Sequence, residues 1–361
     1  MTSSALRPAD DETTPTIKAA AKSAGSDYAA LCRQVRQAGM LKRRPGYYTA
    51  KISVNLGLFA LGGVAFVLLG HSWYQLFVAA FLGIVFTQVA FVGHDAGHRQ
   101  IAGSRRVNDL LGLLHGNLLV GLSYGWWVTK HNRHHANPNH EGRDPDIASG
   151  VIAFTSGVAR TRQSRPARAL ARSQAYFFFP LLLLEGVNLH VASIRALLDG
   201  ETGRSRSKPV EALLLGVHLA GYLTVLLIFL SPLQALVFLI VHQCVFGLYM
   251  GCTFAPNHKG MPILQDEDKL DYLRRQVLTS RNIRGGRLTD FVLGGLNYQI
   301  EHHLFPSMPR PTLRRAQELV RAHCGRHGLT YHESTILSSY GQVLRHLHAV
   351  GAPLRTAPDA G

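Results

Sequence analysis

The chain has 361 residues, 47% of them hydrophobic, with 38 Lys+Arg against 22 Asp+Glu, a formal charge of +16, and 19 histidines. The apolar residues are gathered into long runs, so the positive balance fits basic loops beside anionic lipid headgroups rather than a nucleic-acid partner. The four cysteines, Cys32, Cys244, Cys252 and Cys324, form no C-x-x-C pair, which argues against a zinc ribbon or a disulfide framework.

Residues 1–26 are polar and lack the apolar core of a signal peptide, and they are expected to be a disordered tail. Residues 27–51 form a basic, amphipathic juxtamembrane segment, for which contact with the membrane surface is a simpler reading than a CoA phosphate site. No charged residue occurs from Ile52 to Gly93, and the run is broken only at His71-Ser72. Two membrane helices are predicted, at 52–70 and 73–93, each close to the ~20 residues a bilayer crossing needs. A second uncharged stretch, Ala212 to Asn257, breaks at Ser231-Pro232 and predicts spans at 212–230 and 233–254. Both connections are as short as those of helical hairpins.

Two further apolar stretches, Leu110–Trp127 and Tyr176–Val191, could be counted as spans on length alone. If only one crossed, the histidine set described below would be split between two sides of the membrane. Both are therefore read as in-plane, re-entrant or bundle-buried. The basic stretch Thr155–Arg172, with Arg160, Arg162, Arg165, Arg168 and Arg172, reads as a solvated face near headgroups. Residues 1–51 hold nine Lys or Arg and the tips near 71 and 231 hold none. The positive-inside rule then places both termini and the long middle segment in the cytoplasm. The expected architecture is an all-α membrane protein. It has about four transmembrane helices in two hairpins, a cytoplasmic helical cap, and a C-terminal tail over 336–361.

Three histidine clusters carry the chemistry. In His94-Asp95-Ala96-Gly97-His98, positions i and i+4 share one helix face, so both imidazoles reach one site. In His131-Asn132-Arg133-His134-His135, the adjacent pair diverges by about 100°, so its two members can serve different metals. Gln299-Ile300-Glu301-His302-His303 repeats that geometry with Gln299 where His131 stands. All three clusters come out on the same side of the predicted membrane, next to the bilayer. Imidazole suits zinc, copper, iron and nickel. Two cysteine-free sets of histidines point to a pair of redox metals rather than one structural zinc. No Glu-x-x-His pair is present, which disfavours the carboxylate-bridged soluble bundles. His242 lies 16 residues before His258, about 24 Å along a continuous helix, so the two cannot serve one centre. His218 stands alone in a span, and His323, His327 and His332 read as surface residues.

The three-box pattern resembles the membrane fatty-acid desaturase family over about residues 50–330. The third box and its context, Gly295-Leu296-Asn297-Tyr298-Gln299-Ile300-Glu301-His302-His303-Leu304-Phe305-Pro306, is similar to the front-end acyl and linoleoyl-CoA-desaturase-like branch. There, too, glutamine replaces the first histidine. The resemblance implies a desaturase domain over 52–335. It also implies two iron ions held by His94, His98, His131, His134, His135, His302 and His303, with His258 as an eighth ligand. Gln299 and Asn257 are expected as weak or orienting ligands. Asp95, Asp144, Asp146 and Glu301 are expected as carboxylates that receive the outer N–H of a ligating imidazole.

The implied reaction is oxygen-dependent desaturation of a fatty acyl chain, with O2 reduced to water. Tyr124, Trp126 and Trp127 are candidates for the substrate tunnel or for interface anchors. No His-Pro-Gly-Gly, C-x-x-C or G-x-G-x-x-G occurs, so a separate ferredoxin, rubredoxin or cytochrome-type donor is implied. Membrane lipid is the remaining partner. The rivals are a membrane di-iron hydroxylase of a lipid, alkane or carotenoid and, remotely, a metal transporter. Transport would need ionisable residues along several spans.

Overall fold

A computed structural model describes residues 26–148, 150–200 and 208–356. The expected disordered tail over 1–26 lies outside these, apart from the backbone of Ser26. Helix α1 (Ser26–Gln37) comes first, then α2 (Pro45–Leu69) and α3 (Gln75–Gly97). Next are α4 (Arg105–Leu113), a π-helical turn over Leu114–Val120, and α5 (Tyr124–Ala136). Helices α6 (Ser156–Arg160), α7 (Arg165–Leu182), α8 (Glu185–Asp199), α9 (Lys208–Phe229) and α10 (Pro232–His258) complete the apolar part.

The described residues contain four helices long and apolar enough to cross a membrane, α2, α3, α9 and α10. They match the expected spans with shifted ends. Helix α2 begins seven residues before the expected start and takes in Lys51. That ammonium is accommodated by Gln88 Oε1 at 2.5 Å and lies 4.5 Å from the centroid of the Phe291 ring. Helix α3 runs on through the first histidine box. Helix α10 starts at a Ser231/Gln234 capping box with Pro232 in the first turn. It continues without a break to His258, which is therefore its last residue rather than part of a following loop.

The inner helix is α3, against which α2 and α10 pack, while α9 leans mainly on the π-helical turn. Phe66, Val78, Ala79, Leu226 and Phe238 form the buried core near the chain reversals. The outward faces stay apolar: Val64, Leu68, Phe77, Leu213, Leu227 and Ile228 are all exposed, as lipid-facing surfaces are. Gly83 lets α3 close onto α10, since a Cβ there would lie 2.9 Å from His242 O.

Neither ambiguous stretch forms one straight crossing. The first is divided among α4, the π-helical turn and α5, with a left-handed Gly121 (φ 81°) between the last two. The second is split at Leu183-Leu184 into α7 and α8, which meet at 86°. Pro180 lies just before that break, where a missing N–H weakens helix continuation.

A second core is built by α1, α11 (Tyr272–Leu278), α13 (Gln299–Leu304) and α14 (Leu313–Arg326), with the short helix α12 (Arg287–Val292) in the intervening segment. Two-residue strands β1 (Asn282–Ile283) and β2 (Glu333–Ser334) pair in parallel beside it. Leu31 and Val35 of α1 are fully buried there with Ile300, Leu304 and Val320. The segment expected on the membrane surface thus spends its apolar stripe on protein. His323 differs from expectation in the same way: it is buried, with its ring centroid 4.4 Å from that of His327. The C-terminal stretch is not a tail as far as Thr356. It forms α15 (Ile336–Thr356), whose residues Val343, Leu347, Val350 and Leu354 recur at helical spacing and pack on Ala171, Phe178 and Leu182 of α7.

Candidate metal centre

Three helix ends and one short helix bring the histidines together. Helix α3 contributes His94, and His98 caps its end. Helix α5 contributes His131, His134 and His135, α10 contributes His258, and α13 contributes His302 and His303. Helix α5 is fixed at its start by the Ser123 side chain, which accepts from Trp126 N and donates to Glu211 Oε2 at 2.7 Å. Glu211 also accepts from Gly125 N at 3.0 Å. All eight histidines are buried.

The rings fall into two groups. His94, His98, His131 and His302 each place a ring nitrogen within 4.8 Å of the others, and His134, His258 and His303 do the same. The adjacent pair 302/303 divides between the groups. His134 joins the second group, while His135 Nε2 lies 3.1 Å from His131 Nε2 of the first. The ring of His135 also stacks at 4.1 Å on His303 of the second group, so it stands between the two. His258 Nε2 lies 3.0 Å from His303 Nε2, 3.3 Å from His134 Nε2 and 2.8 Å from the Gln299 amide. Nitrogens that share a metal at bonds of about 2.1 Å stand about 3 Å apart. The Nε2 atoms of His94, His98 and His302 are buried with no protein partner. Orphaned, converging nitrogens are what a cation site requires and what a packed core avoids, so these residues fit a pair of metal ions.

The outer nitrogens are held separately. Asp144 accepts from His134 Nδ1 with both oxygens at 3.0 Å, and is itself fixed by Asn139 N at 2.8 Å and Asp146 N at 2.9 Å. His134, Asp144 and Asp146 also meet the 4.8 Å criterion. That contact uses the nitrogen facing away from His258, so it orients the ring rather than forming a third metal site. Asp146 in turn pairs with Lys130 at 2.8 Å. Asp95 Oδ1 lies 3.2 Å from His94 Nδ1. The outer nitrogens of His258 and His303 face Thr279 O and Gln276 Oε1, each at 2.9 Å. Burial first, and then the neighbouring imidazoles, hold His98, His131, His135, His302 and His303 well below the ordinary histidine pKa. The rings are therefore neutral, the form that ligates metal.

Glu301 corrects an expectation. Its carboxylate turns away from every imidazole to accept from Asn282 Nδ2 at 2.7 Å and from Tyr331 at 2.6 Å. At 100° per residue, positions 299, 302 and 303 of α13 share one face and 301 lies opposite. Burial raises its pKa to about 7, against the lowering effect of those two hydrogen bonds. Asn257 Nδ2 approaches Thr253 O and Gln299 Oε1 at 3.2 and 3.3 Å, so it supports Gln299.

Gln276 and Arg310 were missed from sequence. Arg310 is buried, meets Asp95 Oδ2 at 2.7 Å and donates to Phe91 O at 2.7 Å. Tyr48 completes this cluster, donating to Asp95 at 3.1 Å. No spacing signal marks either residue, because both reach the site from separate parts of the chain.

A cavity of about 450 Å³ opens beside the second histidine group. His131, His134, His258 and Gln299 line it, as do Trp126 and Trp127. Trp127 also stacks on His131 at 4.5 Å. Tyr124 is not among the lining residues; its ring fills the space over Gly112 and its hydroxyl faces Asp109 at 3.5 Å. His190, His218 and His242 form a separate group within the helix bundle. His242 and His258 lie on one unbroken helix, which keeps them apart as their spacing requires.

Four membrane-length helices and two buried histidine groups define a multi-pass membrane protein able to hold metal ions. Residues 71–335 match the fatty acid desaturase family model. A Delta(8)-fatty-acid desaturase of Euglena gracilis is 33% identical over 356 residues, 95% of this chain and 83% of that one. A Delta(5) fatty acid desaturase of Caenorhabditis elegans is 31% identical, covering 83% and 68% of the two chains. An acyl-lipid (9-3)-desaturase of Physcomitrium patens is 30% identical; this chain spans 58% of its length. The chain belongs to the fatty acid desaturase family, on its front-end branch.

Proposed function

We propose that the protein is an oxygen-dependent di-iron desaturase that introduces a double bond into a fatty acyl chain. His94, His98, His131 and His302 would hold one iron, and His134, His258 and His303 the other, with His135 between them. The observation that carries this reading is the apolar cavity whose wall includes His131, His134, His258 and Gln299. A methylene chain lying in it passes directly beside the metal groups. Unactivated C–H bonds are beyond ordinary side-chain bases, and the two irons would supply the oxidising power from O2.

The chain's own residues do the rest. Asp95 and Asp144 lock the His94 and His134 rings. Burial keeps the other imidazoles neutral. Trp126, Trp127, Met250 and Phe254 exclude water and present apolar surface to the substrate. The positive-inside rule supports a cytoplasmic location for the site and both termini. The two electrons would come from a separate ferredoxin, rubredoxin or cytochrome-type donor, drawn by the excess positive charge.

The test is lipid profiling with double-bond location by mass spectrometry in a host that expresses the protein or its His302→Ala variant beside a matched donor. A new unsaturated product that disappears in the variant, together with reduced iron content, is the expected result. A hydroxylated product of higher mass would replace this reading with the hydroxylase.

A further inference from the structure

We propose that Lys259 is a specificity-determining residue: its amine binds the carbonyl oxygen of the acyl ester or thioester, and so fixes how many carbons separate that carbonyl from the metal groups. The proposal rests on the desaturase reading and adds to it the feature of the substrate that is recognised.

The cavity runs beside α10. Met250, Phe254 and His258 follow one another at intervals of four residues and all line it, so this face of the helix accompanies a bound chain for about 12 Å. At the Met250 end the cavity closes in the bundle core, where Leu122 and Met250 pack with Phe86 and Phe246. Its other end reaches the segment 150–154, of which Val151 is exposed. His258 therefore stands at the open end of this helix face. Lys259 is the next residue, capping α10 in extended conformation (φ −72°, ψ 129°) and lining the same cavity.

The other polar groups of this wall are matched by protein. Lys130 Nζ lies 2.8 Å from Asp146 Oδ1. Glu185 Oε2 accepts from Asn188 Nδ2 at 3.1 Å. The Gln299 amide faces His258 Nε2 and Asn257 Nδ2. Lys259 differs from all of these. Its Nζ donates to the backbone carbonyl of Asp146 at 2.8 Å and lies 4.0 Å from the centroid of the Phe154 ring. The Asp146 carboxylate is taken up by Lys130 and His134, which leaves Lys259 without a counter-ion among the described residues. A lysine carries three N–H donors, so two remain for a bound molecule.

A cavity built only for hydrocarbon gains nothing from such a group, since a half-matched amine on an apolar wall is costly. An acceptor that arrives with the substrate offsets that cost. The methylenes of an acyl chain carry no acceptor, and its carbonyl oxygen does. The Cα atoms of consecutive residues are about 3.8 Å apart, so a carbonyl held by Lys259 sits close to the His258 ligand. The carboxyl-end part of the chain then lies beside His134 and His258, and the methyl end points toward Met250. Position along the chain is counted from the carbonyl.

The test removes the carbonyl from the substrate and the amine from the protein, singly and together. Full-length, iron-loaded protein in nanodiscs with a working electron donor is given one labelled chain as acyl-CoA and as diacyl phosphatidylcholine. Each is paired with its carbonyl-free counterpart, the S-alkyl-CoA thioether or the dialkyl ether lipid. The carrier that is turned over identifies whether a thioester or an ester carbonyl is read. For that carrier, the wild-type KM is expected to be about tenfold or more lower for the carbonyl compound than for its counterpart, the effect of one hydrogen bond to a charged group. In Lys259→Met the two KM values should converge on the higher one, and the double bond should spread over neighbouring carbons, with iron content unchanged. Lys259→Arg should restore part of the discrimination. Equal KM values in the wild type would overturn the proposal without recourse to any variant. So would a wild-type difference that persists undiminished in Lys259→Met. Either result leaves the desaturase reading intact. No product from any of these compounds, with iron bound and electrons supplied, would sink the desaturase reading itself.

Discussion

Arg310 and Asp95 form a buried ion pair whose purpose is legible from its geometry. Asp95 is nearly inaccessible and has three polar contacts: His94 at 3.2 Å, Tyr48 at 3.1 Å and Arg310 at 2.7 Å. Removing the guanidinium would leave a buried carboxylate uncompensated, a loss of about 3–5 kcal/mol. Arg310→Met is therefore expected to lower both thermal stability and iron occupancy, with Arg310→Lys restoring part of each. Calorimetry and metal analysis check this, and normal iron in the Met variant would detach Arg310 from the site. Glu301 behaves differently, because it faces Asn282 and Tyr331. Glu301→Gln keeps its size, and the Tyr331 hydroxyl can rotate to accept. Iron content should stay at the wild-type level, whereas Glu301→Ala leaves buried donors unpaired and should cost about 1–3 kcal/mol in an unfolding titration.

At the scale of elements, two close approaches set the cavity's shape. A Cβ at Gly186 would lie 2.6 Å from Gln243 O, and one at Gly247 would collide with Gly186 N and lie 3.1 Å from Glu185 N. Helices α8 and α10 thus meet backbone to backbone next to the cavity wall. Gly247→Leu must force them apart, at about 1–3 kcal/mol for an overpacked core. It is expected to lower the melting temperature and to change the chain-length preference seen in product profiles, because Met250 and Gly251 on the next turn line the cavity. Helix α15 makes a second element-scale prediction. Truncation after Thr335 uncovers Ala171, Phe178 and Leu182 of α7, which it buries. Loss of folded, iron-bearing protein on purification is expected, where deletion of a true tail would be silent.

The whole molecule combines a lipid-facing set of four helices with a second, water-excluding core around the third histidine box. Epitope tags at the two ends should become accessible together when one and the same face of the membrane is exposed, since four crossings return the chain to its starting side. Tags on opposite sides would mean that α7 and α8 together complete a fifth crossing.

Much of this was legible in the sequence. An uncharged run of membrane length marks a span because buried backbone in lipid must bond to itself, and that requirement is local. The spacings of His94/His98, His131/His134/His135 and His302/His303 put rings on one helix face for an equally local reason, the 100° step between residues. Tertiary structure alone decided which rings gather into which group, that Glu301 turns away, that Arg310 stands behind Asp95, and that α15 is packed rather than loose. Those outcomes depend on which face of one helix meets which neighbour. Arg310 and Asp95 are 215 residues apart and His134 and His258 are 124 apart, and no periodicity along the chain encodes such meetings.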